Sequence, residues 1–482
     1  MTEFAGHLPG FAIDEVDWRR LHFGAWGETV EVAVPMLSDA QSAALATRVR
    51  DNARNYLKTL SVTEIVAILD RAIARLLDRD DPWRQKAEAL LPIVTGYDRE
   101  MVRLGLTGYL KTFRGPQLQR FLSEDFANPQ ILDAFQPAVK GGFARAFGPD
   151  LLLHVWAGNV PGLPLWSLIS GLLVKAGTIG KVPSAEPLLA SWFARLIAEI
   201  DPRLGDCLAV VWWKGGDETQ ERIWLEQADV VVAYGGNDAL AAVQKRLPVT
   251  TRYLPHGHKI GFGMVSRAAL DTRKAGVLAR QAAYDVIRYE QQGCYSPQML
   301  FVERGGTVSP REFSGYVAHE LASFSQKHPR RVLSIEEASA VANWRSAAEL
   351  STFGGDRDLI GDAHNDWSVV HVEDEQELAP SGLNRTLSVV AVDGLDDVVG
   401  LIAPYRSFLQ SAGVAAEPEE LFRLAGLLGQ AGVTRISALG LMTSPEAGWH
   451  NDGRFNLLDL VTMTEIEHSA EAEAERFAPY AD

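Results

Sequence analysis

The chain has 482 residues, 47% of them hydrophobic and 22% charged, an ordinary soluble composition with length for two or three domains. A formal net charge of −16 argues against non-specific binding to nucleic acid or an anionic membrane surface, and leaves room for the small basic patch a nucleotide phosphate needs. Two cysteines make no disulfide framework, the acidic start MTEFAGHLPGFAIDEVDW lacks a signal-peptide pattern, and the most apolar run, 163–174, is too short to span a bilayer, so a cytoplasmic protein is expected.

Taken in order, residues 1–37 hold an alternating run in which Val30, Val32 and Val34 share one strand face, an edge hairpin or an entry arm. Helices are predicted over 39–57 and after Ser61, where Ser61 and Glu64 make a capping box. The second carries Ile65, Ile68, Leu69, Ala72, Ile73 and Leu76 on one face. A third, about 83–92, leads into a linker rich in Gly and Arg. From residue 149 the pattern becomes α/β. Strands are predicted at 151–156, 178–182, 208–213 and 230–233. Between them stand helices beyond Pro164, over 187–200 and over 218–227. Short apolar strands alternating with helices read as a parallel sheet covered on both faces. This is the best candidate for a dinucleotide domain, although no GxGxxG follows its first strand.

A second α/β region begins near residue 255. It has a strand at 258–265, a helix at 268–287, a strand at 298–302 and helices at 309–326 and 334–350. A Gly/Asp-rich loop, 354–366, precedes strands at 367–372 and 387–392. A helix at 417–429, a strand at 433–439 and an apolar tail strand at 455–461 complete the reading. The expected division is an N-terminal region 1–89, a cofactor domain 90–255, a catalytic domain 256–443 and a tail 444–482. Between the helix and strand that flank it stands RYEQQGCYSPQMLFVE, 288–303. Cys294 at a helix-to-strand junction can stand free of the core, and Gly293 would let backbone approach an electrophile. A thiolate is a strong nucleophile. Buried packing is the alternative, since free cysteine is among the most buried residue types. Cys207, at the entrance of an apolar strand, reads as packing.

Seven stretches carry a family resemblance through their order and spacing: AGNVPG (157–162), GKVPS (180–184), WWKGGD (212–217), ADVVVAYGG (228–236), HGHKIGF (256–262), QQGCYSPQ (291–298) and TRISALG (434–440). Over about residues 90–465 the chain resembles the aldehyde dehydrogenase superfamily, and more closely its acyl-CoA reductase branch. That branch includes the fatty-acyl-CoA reductase component of bacterial bioluminescence. The resemblance implies an aldehyde-dehydrogenase-like α/β fold with a Rossmann-like cofactor domain and a C-terminal strand arm. It implies reduction of an acyl-CoA to an aldehyde through a thioacyl-enzyme on Cys294, with coenzyme A released.

The same resemblance places Asn159 as the oxyanion donor, against a turn-capping role. Lys181 would meet the adenosine ribose, in Lys181-Val182-Pro183-Ser184, where the family motif lacks the valine; a surface lysine is the alternative. Ala185 stands where NAD-preferring relatives often have glutamate, with Glu186 one place later. The space favours NADPH over NADH. Gly235, Gly236 and Asn237 resemble the turn that meets the pyrophosphate, and Gly215 and Gly216 either approach the cofactor or turn the chain. Where hydrolytic relatives carry a general-base glutamate, this chain has His256-Gly257-His258. His256 or His258 could assist the thiol or the leaving thiolate, or stand as structural strand-end histidines. The resemblance also implies a homo-oligomer assembled through a strand arm, working beside an acyl-transferase and an acyl-activating enzyme. The eleven histidines include no HExxH and the cysteines no ligand spacing, so no metal is expected. Aldehyde oxidation to an acid or an acyl-CoA, acyl-phosphate reduction, and a non-enzymatic binding role are the rivals.

Overall fold

A computed structural model of the chain describes residues 2–158, 162–352, 357–362, 364, 366–374 and 378–479. The apolar strands that begin at residue 151 form a five-stranded parallel sheet. Its spatial order is Arg252–His256, Val230–Tyr234, Leu151–Val155, Gly177–Lys181, Leu208–Val211. Leu151, Leu152 and Leu153 point to alternate faces yet are all buried, because helices cover both sides. The strand order reverses between Leu151–Val155 and Val230–Tyr234, and such sheets bind ligands outside the carboxyl ends at that reversal.

The second sheet has seven strands, in the order Arg357–Gly361, Ser368–Val372, Thr386–Val392, Pro297–Glu303, Ile260–Val265, Leu409–Ala415, Arg435–Ser437. All pairs are parallel except that made by the edge strand Arg357–Gly361. An N-terminal hairpin, Asp17–Ala25 with Glu28–Met36, buries Val30, Val32 and Val34 as the alternation predicts. The chain before it clips onto the larger fold. His7 and Val210 exchange backbone hydrogen bonds at the Leu208–Val211 edge.

The structure departs from the sequence reading in five places. The stretch expected to be a Gly/Arg linker forms helices Arg99–Lys111 and Gly115–Asp125, the first capped by the Asp98 carboxylate accepting the Met101 N–H at 3.0 Å. Glycine in a helix interior is normally unfavourable. A Cβ at Gly105 would press on the Tyr289 hydroxyl at 3.3 Å, so the close packing of this helix against the cysteine loop explains the composition. Arg252–His256 is an additional strand of the five-stranded sheet, and Pro255 is tolerated there because the strand lies at the edge. Leu409–Ala415 is a fully formed strand in a stretch to which the sequence reading assigned no element. Part of the supposed 354–366 loop is the strand Arg357–Gly361. The predicted tail strand at 455–461 is instead irregular with a 3-10 turn at Leu458–Leu460. The strand begins later, at Thr462–Ile466, and pairs antiparallel with Phe143–Phe147.

Candidate active site

A cavity of about 530 Å³ opens where the carboxyl ends of the five-stranded sheet face the cysteine loop. Tyr234, Gly235, Gly236 and His256 line it from the strand ends. Gln292, Cys294 and Tyr295 come from the loop, His258 and Lys259 from the crossing between the sheets, and Trp449, Asn451 and Asp452 from the C-terminal segment. One arm is aromatic. Tyr109 and Phe121 from the unpredicted helices, with Phe113 from the turn between them, meet Trp166, whose ring lies 4.2 Å from that of Phe121 and 5.8 Å from that of Phe113.

The loop ahead of Cys294 is held in an uncommon shape. Tyr289, Glu290 and Gln291 all have positive φ, at 50°, 51° and 59°. Non-glycine residues adopt this region at a cost, so the surroundings must hold them there. They face a second such run, Leu383, Asn384 and Arg385, at 54°, 50° and 71°. The Arg385 guanidinium grips the Glu290 carboxylate at 2.6 and 2.8 Å, with both side chains buried. The Gln291 amide oxygen accepts the backbone N–H groups of Arg385 and Thr386, while its NH₂ donates to the carbonyls of Pro297 and Thr386. Both termini of the loop are thus tied to the neighbouring strand. A Cβ on Gly293 would overlap the Tyr295 ring, so its glycine serves packing within the loop.

Cys294 is partly open to the cavity and otherwise walled in by protein. Burial, then the Asp452 carboxylate, push its thiol up to about 12, against the Gln410 amide, which favours the thiolate. The resting group is therefore a thiol. His256 Nδ1 lies 2.7 Å from Asp452 Oδ2, and Gln410 Nε2 donates to Asp452 Oδ1 at 2.6 Å. Burial alone would raise Asp452, but the His256 hydrogen bond and charge hold it below the usual carboxylate range. The His256 ring stacks on Tyr234, centroids 4.7 Å apart and 13° from parallel. His258 is exposed at the cavity wall.

Of the expected cofactor residues, only Gly235 and Gly236 reach this cavity. Lys181 ends its strand, partly buried, its ammonium 5.9 Å from the Trp213 ring centre. It has no ion pair within 4 Å among the described residues, and burial lowers its pKa. Trp212 Nε1 donates to Ser184 Oγ at 3.1 Å, beside Pro183. Glu186 is turned inward, where its carboxylate accepts the Leu188 and Leu189 N–H groups and starts the following helix. Gly215 and Gly216 are exposed with open space where a Cβ would stand, and Asn237 opens the helix Asn237–Gln244. A partly buried lysine with no direct ion pair among the described residues and only the more distant Glu221 charge, at the carboxyl end of a parallel sheet beside open glycine turns, fits a dinucleotide.

Asn159 lies outside the described residues, as do Val160 and Pro161. Of the apolar residues flanking it in sequence, Leu163 and Trp166 line the cavity, whereas Trp156 and Leu165 belong to the core. Sequence reasoning missed Asp452, Gln410 and the Tyr109–Phe113–Phe121 wall. The helical spacing of Val102, Leu106 and Leu110 was a signal for the wall. Asp452 had none, since its partner lies 196 residues away.

Comparison with known proteins identifies the family. The family model described as Acyl-CoA reductase (LuxC) matches residues 57–463. The chain belongs to that family. Within the acyl-CoA reductase family, a long-chain acyl-protein thioester reductase of Vibrio harveyi is 24% identical over 419 residues, 86% of this chain and 84% of the relative. Another of the same description, from Photorhabdus luminescens, is 26% identical over 378 residues, 77% of this chain and 75% of the relative. Among solved structures, the aldehyde dehydrogenase KauB of Pseudomonas aeruginosa superposes with a TM-score of 0.74 at 14% identity, covering 96% of each chain. The acyl-CoA reductase thus has an aldehyde-dehydrogenase-like fold. Among its described residues no three His, Cys, Asp or Glu side chains converge as metal ligands, and no helix is long and apolar enough to cross a membrane.

Proposed function

We propose that this acyl-CoA reductase converts a fatty-acyl thioester to an aldehyde through a thioacyl-enzyme on Cys294, with NADPH preferred over NADH. The observation that carries the reading is the position of Cys294. It opens onto a cavity with the strand ends suited to a dinucleotide on one side and an aromatic arm on the other. Attack by the Cys294 sulfur on the thioester carbonyl splits one hard step into two and holds the acyl group at the cavity. A bound reduced nicotinamide would supply the hydride that discharges it. Lys181, Ser184 and the turns at Gly215, Gly216, Gly235 and Gly236 would hold the dinucleotide, with Asn237 at the start of a helix beside its phosphates. Asn159 is assigned the oxyanion. Glu186 occupied as a helix cap, and an exposed Ala185, leave no carboxylate at this turn to repel a 2′-phosphate, which supports NADPH.

The aromatic arm supports an apolar acyl chain, and the names of the relatives point to long ones carried on protein. Thioesters on coenzyme A and on a protein carrier present the same reacting carbonyl, so an acyl-transferase or acyl-activating enzyme would be a natural supplier. The test is incubation with acyl-CoAs of graded length without nicotinamide, followed by intact mass and peptide mapping. An adduct on Cys294 that NADPH discharges as aldehyde is the expected result. Failure to form one with any acyl chain, or an adduct elsewhere, would overturn the proposal.

A further inference from the structure

We infer that Asp452 is the positioning carboxylate of a proton relay, Cys294–His256–Asp452, in which His256 takes the thiol proton during acyl transfer. This rests on the acyl-transfer role proposed for Cys294. Three separate parts of the chain build the relay: the end of the Arg252–His256 strand, the cysteine loop, and the C-terminal segment. His256, Cys294, Gln410 and Asp452 all line the one cavity. The His256 and Asp452 side chains are only 15% and 10% exposed, so their 2.7 Å contact is shielded from water. Asp452 is fixed from its other side by the Gln410 amide at 2.6 Å, and its own backbone sits at φ 54°. Aspartate is among the residues that adopt this conformation most readily. The stacking of His256 on Tyr234 restrains the ring plane.

The chemistry follows from the hydrogen bond. With Nδ1–H donated to Asp452, the lone pair of His256 lies on Nε2. A thiol held far above neutrality cannot attack as a preformed thiolate and needs a base at the moment of attack. As the Cys294 S–C bond forms, the S–H proton passes to His256 Nε2. As the C–S bond to the carrier breaks, that proton moves to the departing sulfur, which leaves as a thiol. Thiol and thioester exchange partners, nothing is oxidised or reduced, and His256 returns to its starting form. Asp452 touches no reacting atom. It selects the His256 tautomer and stabilises the transient imidazolium.

The experiment is a double-mutant cycle read in two ways. Acylation of Cys294 by a long-chain acyl-CoA without nicotinamide is followed by coenzyme A release. Alkylation of Cys294 by iodoacetamide, which needs no acyl substrate, is mapped by mass. Asp452→Asn and His256→Ala are each expected to slow both reactions by about 10²-fold, the low end for general acid–base assistance. The double variant should be no slower than His256→Ala, and Asp452→Glu should recover part of the rate. Losses that multiply in the double variant, or a folded Asp452→Asn protein that reacts as fast as the parent or faster, as loss of a carboxylate that only raises the thiol would give, would overturn the relay. Should Asp452→Asn fail to fold, Asp452→Glu, which keeps the charge but moves the carboxylate, must slow acylation in the parent and leave it unchanged in the His256→Ala background. The two proposals separate cleanly. Relay-dependent alkylation without acylation by any acyl-CoA keeps the relay and removes the thioester substrate. Acylation that ignores Asp452 does the reverse.

Discussion

Single residues at this site do their work through protonation state. Cys294→Ser should abolish the covalent acyl adduct while leaving dinucleotide binding intact, because the groups proposed to hold the dinucleotide belong to the ends of the five-stranded sheet and not to the cysteine loop. Intact mass and nucleotide fluorescence titration check the two halves. Asp285 carries a different pH signature. It is buried, and although it accepts the Gly440 N–H at 2.5 Å and the Thr443 N–H at 3.4 Å, burial wins and raises it to about 6. The folded protein therefore holds this proton more tightly than the unfolded chain. The stability it contributes is complete below the ordinary aspartate range near ~4 and is lost as pH rises through about 6. Asp285→Asn should flatten that part of the stability curve, measured by urea midpoints at successive pH values. An unchanged slope between those limits would mean that other groups set it.

At the scale of elements, the cysteine loop and the turn before Thr386–Val392 form one mechanical unit. Removing one partner of a buried ion pair leaves the other charge uncompensated and costs about 3–5 kcal/mol. Arg385→Met should therefore lower stability by about that much and slow Cys294 acylation, since the Glu290 end of the loop loses its anchor. Chemical denaturation and the acylation assay report the two effects. The sequence made the alternation of apolar strands and helices legible from residue 151, because both sheets are covered and their strands read as unbroken apolar runs. Cys294, His256, Gly235 and Gly236, which line the cavity, were singled out through ordered motifs, whereas Gly215 and Gly216 do not reach it. The helices at Arg99–Lys111 and Gly115–Asp125 were not legible, because their glycines look like a linker: Gly105 and Gly108 let the first pack on Tyr289 and Arg288, and Gly115 lets the second start against Asp70. Leu409–Ala415 was missed because its residues LQSAGVA are small or polar, burial being decided by sheet position and not by bulk. Asp452 was invisible because only the folded chain brings it to His256.

The whole molecule carries one feature that does not serve the cavity. The small antiparallel sheet ends in Thr462–Ile466, which pairs on one side only, with Phe143–Phe147. Its first four residues are exposed, and Val139, Phe147 and Met463 put apolar surface on the same region. An edge strand with apolar neighbours is a template for pairing, and a soluble protein normally covers or blunts one. We propose that a second copy of the chain covers this edge, making the protein a homo-oligomer. Sedimentation at micromolar concentration should show a dimer or larger species, and Met463→Glu should shift it toward monomer without moving the acylation rate of Cys294. Met463 lines no part of the cavity, so the two readouts should separate. A monomer under all conditions would leave this edge as an exposed arm and remove the oligomer. A loss of acylation together with assembly would instead mean that the partner copy helps to shape the cavity.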